Sequence, residues 1–216
     1  MNLVRPLSRC FLIGCAIIAL SGGAPAAWAG PQMYEPMSDG VRSALHAAIS
    51  DQPPLTAPRD ADYLAWRAEM SDRLMRWLPD DKERTDLLDA VHYEAVRAGL
   101  DPQHVLGLIE VESAFRKHAV SGAGARGYMQ VMPFWIDVIG RAGDNLFHMR
   151  TNLRYGCIIL RHYLDIEKGD LFRALGRYNG SLGRPDYPNR VRTAWETNWR
   201  FSARQTPSAT TVAANP

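Results

Sequence analysis

Two glutamates, Glu110 and Glu112, lie two positions apart in the stretch DPQHVLGLIEVESAF, residues 101–115. Asp101 can cap free backbone N–H groups, and Pro102 at the first helical position has no N–H to lose. Gly99 suits the left-handed end of a preceding helix. The stretch therefore predicts a short helix in which each residue advances about 100°. On that wheel Val105, Leu108, Ile109 and Phe115 share one face, and Glu112 falls among them. Glu110 points nearly the opposite way, beside Gly107 and Ala114. A carboxyl on an apolar face is desolvated, which disfavours its charge and raises its pKa. Such a group can remain protonated near neutrality and serve as a general acid. Glu112 is the candidate for that chemistry.

The elements that must position it follow from the rest of the chain. Ser38 to Ser50 predicts an amphipathic helix, and DQPPLTAPRD a proline-broken connector. Asp60 to Leu78 carries Tyr63, Leu64, Trp66, Met70, Leu74 and Trp77 at helical spacing, as expected of packing. Asp81 to Ala98 predicts a helix burying Leu87, Leu88, Val91 and Val96. Lys117 to Gly127 contains Gly122, Gly124 and Gly127, which permit tight turns. A short helix begins at Pro133-Phe134-Trp135, and Asn145 to Arg150 is expected to be a loop. Asn152 to Lys168 predicts a long helix, and Asp170 can cap another, Leu171 to Arg177. Tyr187 to Trp199 predicts the last helix, with Val191 and Trp195 inward. No alternating strand pattern is visible, so the fold expected is all-α.

Three short motifs stand in order: Glu112-Ser113, Gly127-Tyr128-Met129-Gln130 and Arg177-Tyr178-Asn179. Together they resemble the soluble lytic transglycosylase family, over roughly residues 85 to 200. The resemblance implies a lysozyme-like, mainly helical domain that cuts peptidoglycan, with Glu112 catalytic. It also implies supporting or substrate-binding roles for Ser113, Met129, Gln130, Tyr178 and Asn179. Met129 would line the glycan groove, Gln130 would hold the turn, and Asn179 would contact substrate. The Tyr178 hydroxyl would bond Glu112. Asn152 would be a structural asparagine and Gly156 a close-packing position. Tyr128 stands where the family has leucine, and its hydroxyl needs a partner if buried. Trp135 and Tyr187 can be either sugar-stacking rings or core.

The motifs supply one acid where most glycosidases use two carboxylates. Asp137, Asp144 and Asp186 occupy no motif position. A single acid suffices if the 6-hydroxyl of N-acetylmuramic acid is the nucleophile, giving a 1,6-anhydro product. The alternatives are a hydrolytic muramidase on the same fold and a non-catalytic peptidoglycan-binding or envelope-assembly module.

Residues 1–29 read as a secretory signal: Arg5 and Arg9, an apolar core from Cys10 to Leu20, and Ala27-Trp28-Ala29 before Gly30. A lipoprotein box ending at Cys15 is the less favoured reading. The expected location is the periplasm, without a stable membrane span. Losing Arg5 and Arg9 from the 25 basic residues balances the 23 acidic ones, so no global basic field suggests nucleic acid. Cys157 would then be the one remaining cysteine, so no internal disulfide forms. The histidines are scattered and no metal-ligand spacing occurs, so neither metal nor cofactor is expected. The expected partners are peptidoglycan strands and, possible on the same grounds of export, secretion or conjugation machinery. The expected organisation is an N-terminal helical extension at 30–80, the catalytic domain at 81–201, and a disordered tail at 202–216.

Overall fold

The computed structural model describes residues 32–202 except Ala57 and Arg59. The expected signal segment, with Cys15, and the tail from residue 203 lie outside the described residues. Among the described residues eight α-helices follow one another: α1 Asp39–Ser50, α2 Ala61–Leu74, α3 Asp81–Arg97, α4 Pro102–Ser113, α5 Phe134–Ile139, α6 Met149–Ile166, α7 Leu171–Tyr178 and α8 Asp186–Ala194. A π-helical turn, Trp195–Trp199, continues α8. Among the described residues there is no strand, only isolated bridges joining Val120, Arg126 and Val131. The fold is all-α, as expected.

Caps explain where the helices start. The side chains of Ser38, Asp60, Asp80, Asp101 and Asp170 each accept a hydrogen bond from a first-turn N–H, satisfying a donor that the helix itself cannot. Gly99 closes the α3 end at φ +67°, a left-handed conformation without Cβ strain. α4 is the central helix. Val105, Leu106, Gly107, Leu108, Ile109, Glu112 and Ser113 are all buried, covering more than one face. A helix enclosed on this scale has neighbours all round; α3, α8 and the π turn pack against it. Gly107 permits the closest approach, because a Cβ there would lie 3.1 Å from the Val191 carbonyl and from Trp195.

Several boundaries differ from the expected ones: α2 ends at Leu74, not Leu78. α4 ends at Ser113, not Phe115, because Ala114 (φ 48°) and Phe115 (φ 59°) both turn left-handed. Left-handed backbone is costly for residues with a Cβ. The Phe115 ring, 1% exposed, packs on Trp77 and Trp199 and offsets that cost. α6 starts at Met149, within the expected loop. The last helix is not uniform, since its final turn widens to π geometry.

α1 and α2 share the core of the remaining helices. Ile49, Tyr63, Trp66, Met70 and Leu74 belong to the same buried cluster as the α4 and α6 residues. Their burial removes several large apolar side chains from water at about 1.5–3 kcal/mol each.

Candidate active site

Glu112 lies on the last turn of α4 and is 3% exposed. Its Oε1 accepts a hydrogen bond from the Tyr187 hydroxyl at 2.5 Å. Burial pushes its pKa up to about 8; the Tyr187 bond, then the charge of Arg190, pull the other way. At neutral pH the carboxyl therefore holds its proton. Tyr187, buried, stands in the first turn of α8, and the exposed Arg190 follows three residues later. α8 thus brings to Glu112 both the groups that moderate its desolvation.

The expected bond from Tyr178 to Glu112 is not formed. The Tyr178 hydroxyl donates instead to the Met129 carbonyl at 2.7 Å, and Tyr187 takes the place expected for it. The reason is geometric: Tyr178 ends α7 beneath the 119–131 turn, whereas Tyr187 enters over the end of α4. The choice left open for Tyr187 and Trp135 also resolves, since both rings are enclosed, at 3% and 1% exposure.

The turn is a rigid support for the acid. Ser113 Oγ donates to the Tyr128 carbonyl at 2.7 Å, tying the end of α4 to the turn. Gln130 Nε2 donates to the carbonyls of Gly127 (2.9 Å) and Ala119 (3.2 Å). Asn152 is fully buried: its Oδ1 accepts from the Met129 N–H, and its Nδ2 donates to the Arg126 and Leu146 carbonyls. Gly127 must be glycine, with φ +76° and room for no Cβ beside the Asn152 amide. The Met129 side chain is wholly enclosed above Gly156, whose Cβ position would overlap the Met129 sulfur. Burial, then the nearby Glu83 carboxylate, push the Tyr128 hydroxyl pKa up. Asn179 caps α7 and is buried. Ser113, Met129, Gln130 and Tyr178 thus form one hydrogen-bonded frame behind Glu112.

Glu110 has a different setting. It accepts two bonds from Asn198 Nδ2, at 2.9 and 3.0 Å, and one from Trp199 Nε1 at 2.6 Å. Asp144 accepts from the Tyr155 hydroxyl at 2.6 Å and Asp186 stands in the first turn of α8. Neither bonds Glu112. No group of metal-ligating side chains occurs among the described residues. A cavity of about 590 Å³ between α1, α3 and α6 is not lined by Glu112.

One enclosed carboxyl on a buried helix end, backed by a glycine-bearing turn and a Tyr-Asn helix end, is matched by a family model. The model of the transglycosylase SLT domain covers residues 89–197, half of the chain. The chain belongs to this family. Similar proteins carry related names. A "Transglycosylase" of Enterobacteria phage PRD1 is 34% identical over 88 residues, 41% of this chain and 32% of that protein. A "Membrane-bound lytic murein transglycosylase C" of Actinobacillus pleuropneumoniae serotype 5b is 52% identical over 46 residues, 21% of this chain and 13% of that protein. A protein of the same name from Glaesserella parasuis serovar 5 is 38% identical over 82 residues, 34% of this chain and 22% of that protein. The chain thus spans a third or less of the length of these curated relatives. Among the described residues of this SLT-family chain, no helix is long and apolar enough to cross a membrane.

The residue missed from the sequence is Tyr187, and with it Arg190. A signal existed: Tyr187 and Arg190 sit at i and i+3 at the start of the last helix, so both face one neighbour. Nothing in the sequence says that this neighbour is Glu112.

Proposed function

We propose that this SLT-family chain is a lytic transglycosylase that cleaves the β-1,4 bond between N-acetylmuramic acid and N-acetylglucosamine in peptidoglycan. The observation that carries the reading is the enclosed Glu112 with a single hydroxyl donor. As acid, Glu112 gives its proton to the glycosidic oxygen while the C1–O bond breaks. The muramic 6-hydroxyl oxygen then bonds C1, and the Glu112 carboxylate takes the hydroxyl proton. The atoms balance without water: one strand end becomes 1,6-anhydromuramic acid and the other regains a 4-hydroxyl. A pKa near 8 suits both halves, since the acid is loaded at pH 7 and its conjugate base is strong enough to take a proton. Tyr187 orients the carboxyl through both steps. Ser113, Gln130 and Tyr178 act through the turn, and Asn179 is the candidate substrate contact.

The proposal includes residues 81–201 as the catalytic unit, with 30–80 as an extension sharing its core, and export to the periplasm where the substrate lies. Mass spectrometry of sacculi digested with the purified protein tests it. Anhydro ends dependent on Glu112 are expected; reducing ends would identify a hydrolytic muramidase instead.

A further inference from the structure

Residues 32–37 form no helix, yet they run as a strap from the start of α5 to the end of α7. Gln32 is 5% exposed. Its Oε1 accepts from Trp135 Nε1 at 3.0 Å and from the Met132 N–H at 3.4 Å. Tyr34, half exposed, meets Phe134 edge-on. Glu35 accepts two bonds from Arg177 Nη1, at 2.7 and 2.8 Å. The strap therefore touches the residues just after Gln130 and those just before Asn179. Tyr178 is itself near enough to Glu112 to feel its charge.

The chemistry of the Gln32 contact is specific. A glutamine side chain ends in a carboxamide, and an N-acetylated aminosugar carries one too. Both present a carbonyl acceptor beside an N–H donor. Met132 N–H and Trp135 Nε1–H converge on the Gln32 carbonyl. Without a carbonyl there, the buried Trp135 Nε1–H would be unpaired, which is costly, and the part-buried Met132 N–H would lose its partner too. The strap's outer tie is a half-exposed ion pair, Glu35 with Arg177, a kind of contact that contributes little. The pocket demands a carbonyl, while the segment supplying it is lightly held.

We propose that Met132 N–H and Trp135 Nε1–H form a subsite for the acetamido carbonyl of an aminosugar, which the Gln32 carbonyl fills in the free protein. The glycan must displace the strap to bind, so the strap is an internal competitor. This inference rests on the peptidoglycan-cleaving reading.

The test uses the full chain and three forms of it: unchanged, Gln32→Ala and Glu35→Ala. Glu35→Ala loosens the strap without touching the subsite. The probes are N-acetylglucosamine tetramer and its fully N-deacetylated counterpart, with binding followed by calorimetry. Both variants should bind the acetylated tetramer roughly three- to tenfold more tightly, as expected when a competing state held by one or two hydrogen bonds is removed. Binding of the deacetylated tetramer should not change between forms. On sacculi, KM should fall by a similar factor with kcat unchanged. If both variants bind the acetylated tetramer no better than the unchanged chain, the strap is a fixed part of the wall and the proposal fails. Equal tightening for both tetramers would also overturn it, because the subsite would not read the acetyl group. The unchanged chain's release of soluble fragments from sacculi is scored separately. Its absence strikes the catalytic reading, whereas normal release with unchanged affinities strikes only the strap.

Discussion

Glu110 and Glu112 occupy the same helix, two residues apart, and the molecule treats them in opposite ways. Glu110 receives three donated bonds, from Asn198 and Trp199, at a half-exposed position. Glu112 receives one, from Tyr187, in full enclosure. Two donor nitrogens, the Asn198 amide and the Trp199 indole, hold both oxygens of the Glu110 carboxyl. One donor in an apolar surround does not, so the group keeps its proton. The same side chain becomes a structural anchor for the chain end in one place and a candidate acid in the other. Donor count and burial make that difference.

The sharpest way to break the contrast is Glu112→Gln. Glycan release from sacculi should fall by about 10²–10⁴-fold or more, the scale of a lost general acid–base. Its stability should respond to pH with a definite sign. The folded pKa of about 8 exceeds the unfolded value of 4.5. Between those values the native state binds more protons than the unfolded one, so stability declines as pH rises. The Glu112→Gln variant lacks this loss. Its Tm should exceed that of the parent increasingly from pH 5 to pH 8. A Tm difference that shrinks over this range would show that Glu112 is not held protonated.

Glu110→Gln should do the reverse. It weakens charge-assisted bonds worth about 1.5–3 kcal/mol, which lowers the urea midpoint while most turnover at 25 °C survives. Loss of turnover without loss of stability would exchange the roles of the two glutamates.

Tyr178→Phe leaves the Met129 carbonyl short of its donor at a cost of about 1–3 kcal/mol. The alkaline limb of the activity–pH profile should stay where it is, since this hydroxyl does not bond Glu112. Tyr187→Phe should show the opposite pattern, with stability changing by only about 0.5–1.5 kcal/mol. Without the bond that lowers the Glu112 pKa, the alkaline limb should move to higher pH and turnover should fall. Profiles that shift for Tyr178→Phe but not for Tyr187→Phe would restore the tyrosine originally expected.

Much of this arrangement was readable because it is local. Asp101 and Asp170 cap the helices they were expected to cap. Glu112 lies on the buried side because a 3.6-residue period and the run of Val105, Leu108 and Ile109 leave it no other. Gly156 and Asn152 hold Met129 and its turn as the resemblance implied. What escaped was non-local. Ala114 and Phe115 turn left-handed against their own preferences because Trp77 and Trp199, distant in sequence, bury the Phe115 ring. Residues 30–60 showed little pattern, and the strap at 32–37 is held by side chains with no periodicity to betray it.

By itself the sequence determined an all-helical chain, the family and the buried placing of Glu112, since caps, helical period and short motifs act over a few residues. Only the tertiary structure decided which tyrosine serves Glu112, what satisfies Glu110, and that Gln32 sits against Trp135. Each of those joins residues 75 to 103 positions apart. Contacts at such separations depend on how helices pack as bodies, and a residue's type and neighbours in the chain carry almost no information about that.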